Sequence, residues 1–220
     1  MSNEYEVSKQ NKVRQLREKA AYDHETVHSV LDAGLVAHVA FVQDGDPVVV
    51  PMLYGREGET LFLHGARRAR VIRLLEGNST ASVNVTLLDG LVYARSAFAS
   101  SMNYRSATVF GTARLVEGRD EKLHALRVIS ECTMPGRWAE VRESLDNEIK
   151  MTGVIAIDIE SASAKISAAM PDDEDIDLDT PLWAGVLPLE SRFTTLQADD
   201  LVKDGVEPSA ALRAMEKKRL

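Results

Sequence analysis

The period of polar and apolar positions changes several times along the chain. Over residues 12–33 apolar residues recur at helical spacing. Val27, Val30 and Leu31 share a face and Gly34 is a stop, which predicts helix in one or two pieces. From Leu35 to Val42 the texture becomes strand-like. Asp44-Gly45-Asp46-Pro47 then reads as a turn, Val48–Tyr54 as a second strand, Arg56-Glu57-Gly58-Glu59 as another turn and Thr60–His64 as a third strand. This is the pattern of an antiparallel meander.

Residues 67–76 return to helical spacing: Ala69, Val71, Ile72, Leu74 and Leu75 supply an apolar side, while Arg67, Arg70 and Arg73 fall on the other. Gly77 is the expected stop. Further strands are expected at Ala81–Leu87 and Leu91–Arg95, separated by Leu88-Asp89-Gly90, and at Ala107–Val116. A helix follows over Arg119–Thr133, broken by Pro135-Gly136, with more helix over Trp138–Ile149. Strand character returns at Val154–Ile159 and Ala164–Ser167, and a last helix with the basic tip Lys217-Lys218-Arg219 starts from Pro208. Turns come too often for a βαβ parallel sheet. The expected fold is mainly β (α+β): a small antiparallel barrel with peripheral helices. With no internal repeat or low-complexity linker, residues 1–220 are expected to form a single domain with helical extensions at both ends.

Composition narrows the class. Of 220 residues 45% are hydrophobic and 27% charged, a globular balance that excludes a collagen or a wholly disordered chain. The net charge of −8 gives no general attraction to nucleic acid or an anionic membrane, so any anion site must come from a local basic cluster. Cys132 is the one cysteine, so no intrachain disulfide can form, which fits a reducing compartment. The polar start and the lack of a span of about 20 apolar residues lead us to expect a cytoplasmic protein without a membrane anchor.

The basic cluster Arg67, Arg68, Arg70 and Arg73 follows His64-Gly65-Ala66, where a strand hands over to a helix. Arginines at a helix start are electrostatically misplaced unless an anion joins them, and guanidinium forks suit a phosphate; the bland alternative is a solvated helix face. Pro51 lacks the N–H of a central ladder and points to an edge, a bulge or a ligand-facing stretch. His64 is a candidate ligand, base or hydrogen-bonding residue. Zinc is not expected, because the histidines are scattered and the cysteine has no partner. No Gly-x-Ser-x-Gly elbow, Walker motif or dinucleotide fingerprint occurs. The acidic run within 171–179 lacks the glycine and distal glutamate of an EF-hand and reads as a solvated loop. Trp183, in the apolar stretch Trp183-Ala184-Gly185-Val186-Leu187-Pro188-Leu189, is either packing or a stacking surface.

Pro51-Met52-Leu53-Tyr54, Leu63-His64-Gly65-Ala66 with its arginines, Asp89-Gly90-Leu91-Val92, Ala94-Arg95-Ser96-Ala97-Phe98, Met102-Asn103-Tyr104-Arg105-Ser106 and Trp183-Ala184-Gly185-Val186-Leu187-Pro188 occur in this order. Taken together, the set resembles the pyridoxamine 5′-phosphate oxidase-like flavin-binding proteins, in the branch related to nitroimidazole-resistance proteins. The resemblance runs from about Tyr22 to about Leu189 and implies a split β-barrel, a homodimer and FMN at the subunit interface. On this reading Arg68 and Arg70 hold the FMN phosphate. Val50, Pro51, Met52, His64, Gly65 and Ala66 flank the flavin, and Asn103, Tyr104, Arg105 and Trp183 approach it, the second subunit being one source. Two positions depart from relatives: Ala69 stands where a serine is common, and Ala99 or Ser100 where a histidine is common. No pyridoxamine-phosphate pocket is evident, so vitamin B6 synthesis is not expected. The resemblance implies an FMN-dependent oxidoreductase acting on a small organic substrate, with His64 the one catalytic candidate. The rivals are a non-catalytic flavin-sensing module, or the same fold holding F420 or a haem with His64 as axial ligand.

Overall fold

A computed structural model describes residues 3–77 and 79–219. In chain order the elements are β1 (Ala20–Ala21), α1 (His24–Ala33), β2 (Val36–Gln43), β3 (Asp46–Glu57), β4 (Thr60–Ala66), α2 (Arg70–Leu75), β5 (Ser79–Tyr93), β6 (Ser101–Leu115), α3 (Arg119–Thr133), α4 (Asp146–Met151), β7 (Thr152–Ser167), β8 (Gly185–Pro188) and α5 (Ala210–Met215). Among the described residues the strands order as β1-β7-β4-β3-β2-β5-β6; β8 pairs with β5, and β7 also pairs with β6. This is the antiparallel, mainly β architecture expected of a split barrel.

The described chain divides into two compact units. One takes the residues up to Gly34, Val83–Phe110 and Glu160–Glu190. Its core includes Val27, Val30 and Leu31 of α1, Val83 and Val85 of β5, and Ala107 and Val109 of β6. Its N-terminal stretch is not the helix expected over 12–22: only a single 3-10 turn forms at Arg17–Lys19. The reason is that side chains satisfy the backbone there. The buried Asn11 donates to the carbonyls of Glu6 and Ala162, each at 3.0 Å, and the Val13 N–H donates to the Tyr22 hydroxyl at 2.9 Å. α1 begins where Asp23 accepts from the Thr26 N–H at 2.8 Å.

The other unit takes Leu35–Ser82, Gly111–Ile159 and the described residues from Ser191. Its hairpin β2–β3 closes with Gln43 opposite Asp46, and Asp44 and Gly45 at φ 53° and 90° form the two-residue turn that positive φ permits. β4 pairs with β3 only over Tyr54–Glu57, then runs along β7 from Thr60 to Ala66. Pro51 therefore lies on a stretch of β3 that β4 does not reach, consistent with its missing N–H.

Five further expectations are corrected. β5 is continuous through Leu88-Asp89-Gly90, because Gly90 pairs with Pro188 of β8 and the Asp89 carboxylate is engaged by Arg105. β7 is likewise unbroken from Thr152 to Ser167, and β6 starts at Ser101. Residues 138–145 are not helical: the Glu131 carboxylate accepts from the Gly136 and Trp138 N–H groups, holding the chain in a turn. The C-terminal helix is only α5, after which Lys217 (φ 63°) turns the chain back to pair with Phe193.

Candidate functional site

Directly paired residues share a face, so Val36, His38 and Ala40 of β2 lie beside Leu53, Pro51 and Val49 of β3 on one side of the sheet. Two residues on, the same face carries Gly55, with Phe62 of β4 opposite it. α3 covers that end: Ala125, Val128 and Ile129 pack on Phe62, Val154 and Ala156. The rest of the face is bare. Val49 is 60% exposed, Leu53 46% and Val36 43%, although the residues alternating with them, Ala37, Val39 and Phe41, are buried. His64, two positions beyond Phe62, is exposed on the same side.

Neither His38 nor His64 has a hydrogen-bond partner among the described residues. The His64 ring keeps an exposed edge, yet the atoms packed around it hold its pKa below the usual histidine value by desolvation, so it is neutral near pH 7. The arginine cluster begins just beyond. Arg67 is paired with Glu76 at 2.7 Å, whereas Arg68, Arg70 and Arg73 are exposed and have no ion pair among the described residues. α2 is six residues long and starts only at Arg70, so any anion preference here rests on the guanidinium groups rather than on a helix dipole. α2 is seated by two glycines. A Cβ on Gly153 would meet Ile72 at 2.5 Å, and the open side of the cross-paired Gly65 faces Ile72 at 3.6 Å.

The sequence-identified residues thus fall into two groups. Val50, Pro51, Met52, His64, Gly65, Ala66, Arg68 and Arg70 belong to the unit just described. Val50 and Met52 are half-buried opposite Val39 and Ala37, while Pro51 faces His38 on the bare side. Asn103, Tyr104, Arg105 and Trp183 belong to the other unit. There Asn103 exchanges two 3.0 Å hydrogen bonds with the Ala169 backbone, and Arg105 grips Asp89 in a fork at 2.8 and 3.0 Å, which raises its pKa. Tyr104 is half-buried, whereas Trp183 is 71% exposed, its ring against Gly185 and 6.3 Å from that of Tyr93. The acidic loop is more than solvated surface. The Asp173 carboxylate is buried and accepts from both the Arg95 guanidinium, at 2.8 Å, and the Arg95 N–H, at 2.6 Å. His38, Val36, Val49 and Leu53 are the residues that sequence reasoning missed. Their signal was a polar residue and bulky apolar residues on the alternation phase opposite to Ala37, Val39 and Phe41.

The pyridoxamine 5′-phosphate oxidase family profile matches residues 23–166, more than half of the chain and every element that builds this face. The chain belongs to that family. The solved structure of the flavocytochrome Anf3 from Azotobacter vinelandii is similar at 33% identity and a TM-score of 0.90, over 96% of this chain and 98% of that one. The FAD and heme binding protein from Mycobacterium smegmatis is similar at 37% identity and a TM-score of 0.87, over 90% of this chain and 98% of that one. A putative 5-nitroimidazole antibiotic resistance protein from Bacteroides thetaiotaomicron, 24% identical with a TM-score of 0.56, shares the fold over 67% of this chain and 86% of its own. No curated protein matches. Among the described residues no helix is long and apolar enough to cross a membrane.

Proposed function

We propose that this chain is a flavin- and haem-binding redox protein, active as a homodimer. The observation that carries the reading is the bare apolar face of β2, β3 and β4, with two unbonded imidazoles on it and unpaired arginines beyond its end. Both groups suit these residues. A flavin phosphate, whether the single phosphate of FMN or the pyrophosphate of FAD, needs charge-assisted donors, and Arg68, Arg70 and Arg73 are cations without a carboxylate. A haem needs a neutral imidazole beside an apolar surface, and His64, kept neutral by desolvation, and His38 are such groups. The flavin and haem relatives, similar over nearly the whole chain, support carrying both cofactors to this one.

When bound, the flavin supplies hydride and one-electron chemistry and the haem supplies one-electron chemistry. The protein's part is to bind and to shield. The arginines would hold the phosphate, His64 or His38 would hold the haem iron, and the apolar side chains, closed over by a second copy, would exclude water. The substrate class is a small organic molecule or another electron acceptor.

The test is the absorption spectrum of the purified protein with mass identification of what it releases. Flavin bands together with a Soret band are expected. Replacing His64 or His38 by alanine is expected to abolish or shift the Soret band in one of the two variants. A protein that takes up neither added flavin nor added haem overturns the reading, and flavin without haem confines it to the flavin half.

A further inference from the structure

Away from that face, α3 and the turn-rich segment after it enclose a cleft of about 440 Å³. Leu123, His124 and Arg127 line it from α3, and Trp138, Val141 and Arg142 from the facing segment. None of these residues takes part in the cofactor reading. We infer that this cleft is a binding site for a small planar aromatic anion, stacked on Trp138 with its anionic group on Arg127.

The charges in the cleft are unequally satisfied, and the one carboxylate that lines it, Glu143, is exposed to solvent. Arg142 is held by both oxygens of Glu148, and Arg119, at the rim, leans on Asp146 at 3.3 Å. Among the described residues Arg127 has no carboxylate partner, and its one hydrogen bond is to Nδ1 of His124, at 3.4 Å. A guanidinium can only donate, so Nδ1 accepts, and His124 donates through Nε2 to Glu57 at 2.6 Å. The imidazole is further set edge-on against Phe62, with centroids 6.4 Å apart and planes at 87°. Arg127 is thus steadied from behind by a Glu57–His124 pair while its other N–H groups remain unspent.

The turn that carries Trp138 is braced through its backbone. The Glu131 carboxylate takes the Gly136 N–H at 2.7 Å and the Trp138 N–H at 3.3 Å, and Arg137 closes the turn onto Glu140 at 3.0 Å. An indole on a braced turn, lining the same cleft as an unsatisfied guanidinium, offers a face to a flat ring and a fork to an anion. Leu123 and Val141 supply the apolar walls. The volume lies near the lower end of the ~300–1,000 Å³ range of small-molecule sites, which suits one or two fused rings rather than a dinucleotide.

The test is calorimetric titration of the intact protein with 2-naphthoate, and with the uncharged 2-naphthamide as control. Saturable binding of one naphthoate per chain is expected, weaker by about tenfold or more for the amide and for Arg127→Gln. Trp138→Leu is expected to weaken it comparably, and Trp138→Phe, which keeps a ring, by less. Circular dichroism establishes that each variant is folded, and Arg127, on the exposed side of α3, carries the test if a tryptophan variant does not fold. The cofactor spectrum is expected to be the same in Arg127→Gln, so loss of naphthoate binding and failure of the flavin and haem reading are separate results. No saturable binding at millimolar naphthoate, or binding that Arg127→Gln leaves unchanged, overturns the proposal.

Discussion

At the scale of single residues, charge compensation separates the arginines that hold the fold from those left for a ligand. Among the described residues, Arg105, Arg95 and Arg142 each have a carboxylate within hydrogen-bond distance, and Arg68, Arg70 and Arg73 have none. On the flavin reading, Arg70→Ala is expected to weaken flavin binding by about ten- to a hundredfold, the loss of a charge-assisted contact of about 1.5–3 kcal/mol, with the melting temperature of the cofactor-free protein unchanged. Equilibrium dialysis with the flavin measures the first and a thermal melt the second. Glu148 makes a prediction about pH. Its two bonds from Arg142, with the Leu145 N–H, lower its pKa from 4.5 to about 2. A carboxyl held down in the folded state stabilises above its unfolded pKa and loses that contribution as pH falls through the folded one. Stability is therefore expected to decline between about pH 4.5 and about pH 2, and Glu148→Gln to flatten that part of the melting-temperature profile. A parallel profile in the variant would mean that the fork adds nothing.

At the scale of elements, α3 can lie on the sheet because β3 offers no side chain at Gly55. A Cβ there would sit 2.7 Å from the Ile129 Cα and 2.8 Å from its nitrogen, both backbone atoms that cannot give way singly. Gly55→Ala is expected to cost about 1–3 kcal/mol, the usual range for overpacking, read as a lowered midpoint in urea. An unchanged midpoint would show that α3 shifts freely. The helix itself was fully legible, because Arg119–Thr133 carries its own period and ends before Pro135-Gly136. The breaks expected in β5 and β7 were illegible for the opposite reason. Asp89-Gly90 has the chemistry of a turn, and only a distant partner, Arg105 with β8, makes it strand. Glu160-Ser161-Ala162-Ser163 looks polar, yet Ala162 and Ser163 are buried. His64 and the arginines were legible as a cluster. His38 was not, since a histidine in phase with Val36 and Ala40 gains meaning only when β3 is laid beside it.

At the scale of the whole molecule, the bare face of β2 and β3 bears on how many copies work together. Strands normally bury one side and show polar residues on the other, and this face shows Val36, Val49, Pro51 and Leu53 instead. Continuous apolar exposure of that kind is covered in a working protein, and the homodimer of our proposed function covers it with an identical face. A stable interface of this sort buries about 800 Å² on each partner, of which this patch is the apolar centre. Light scattering is then expected to give twice the 24.2 kDa chain mass. Val49→Lys with Leu53→Lys places two charges at the centre, on side chains whose solvent exposure in the single chain lets the fold tolerate them. The pair is expected to give a folded monomer. On the proposed function it is also expected to release cofactor, because the ring would lose its cover while only Arg68 and Arg70 would still hold the phosphate. A native protein that runs at 24.2 kDa would remove the dimer from the proposal. A monomeric double variant that keeps its flavin and haem would instead leave the dimer standing and move the cofactors away from the interface.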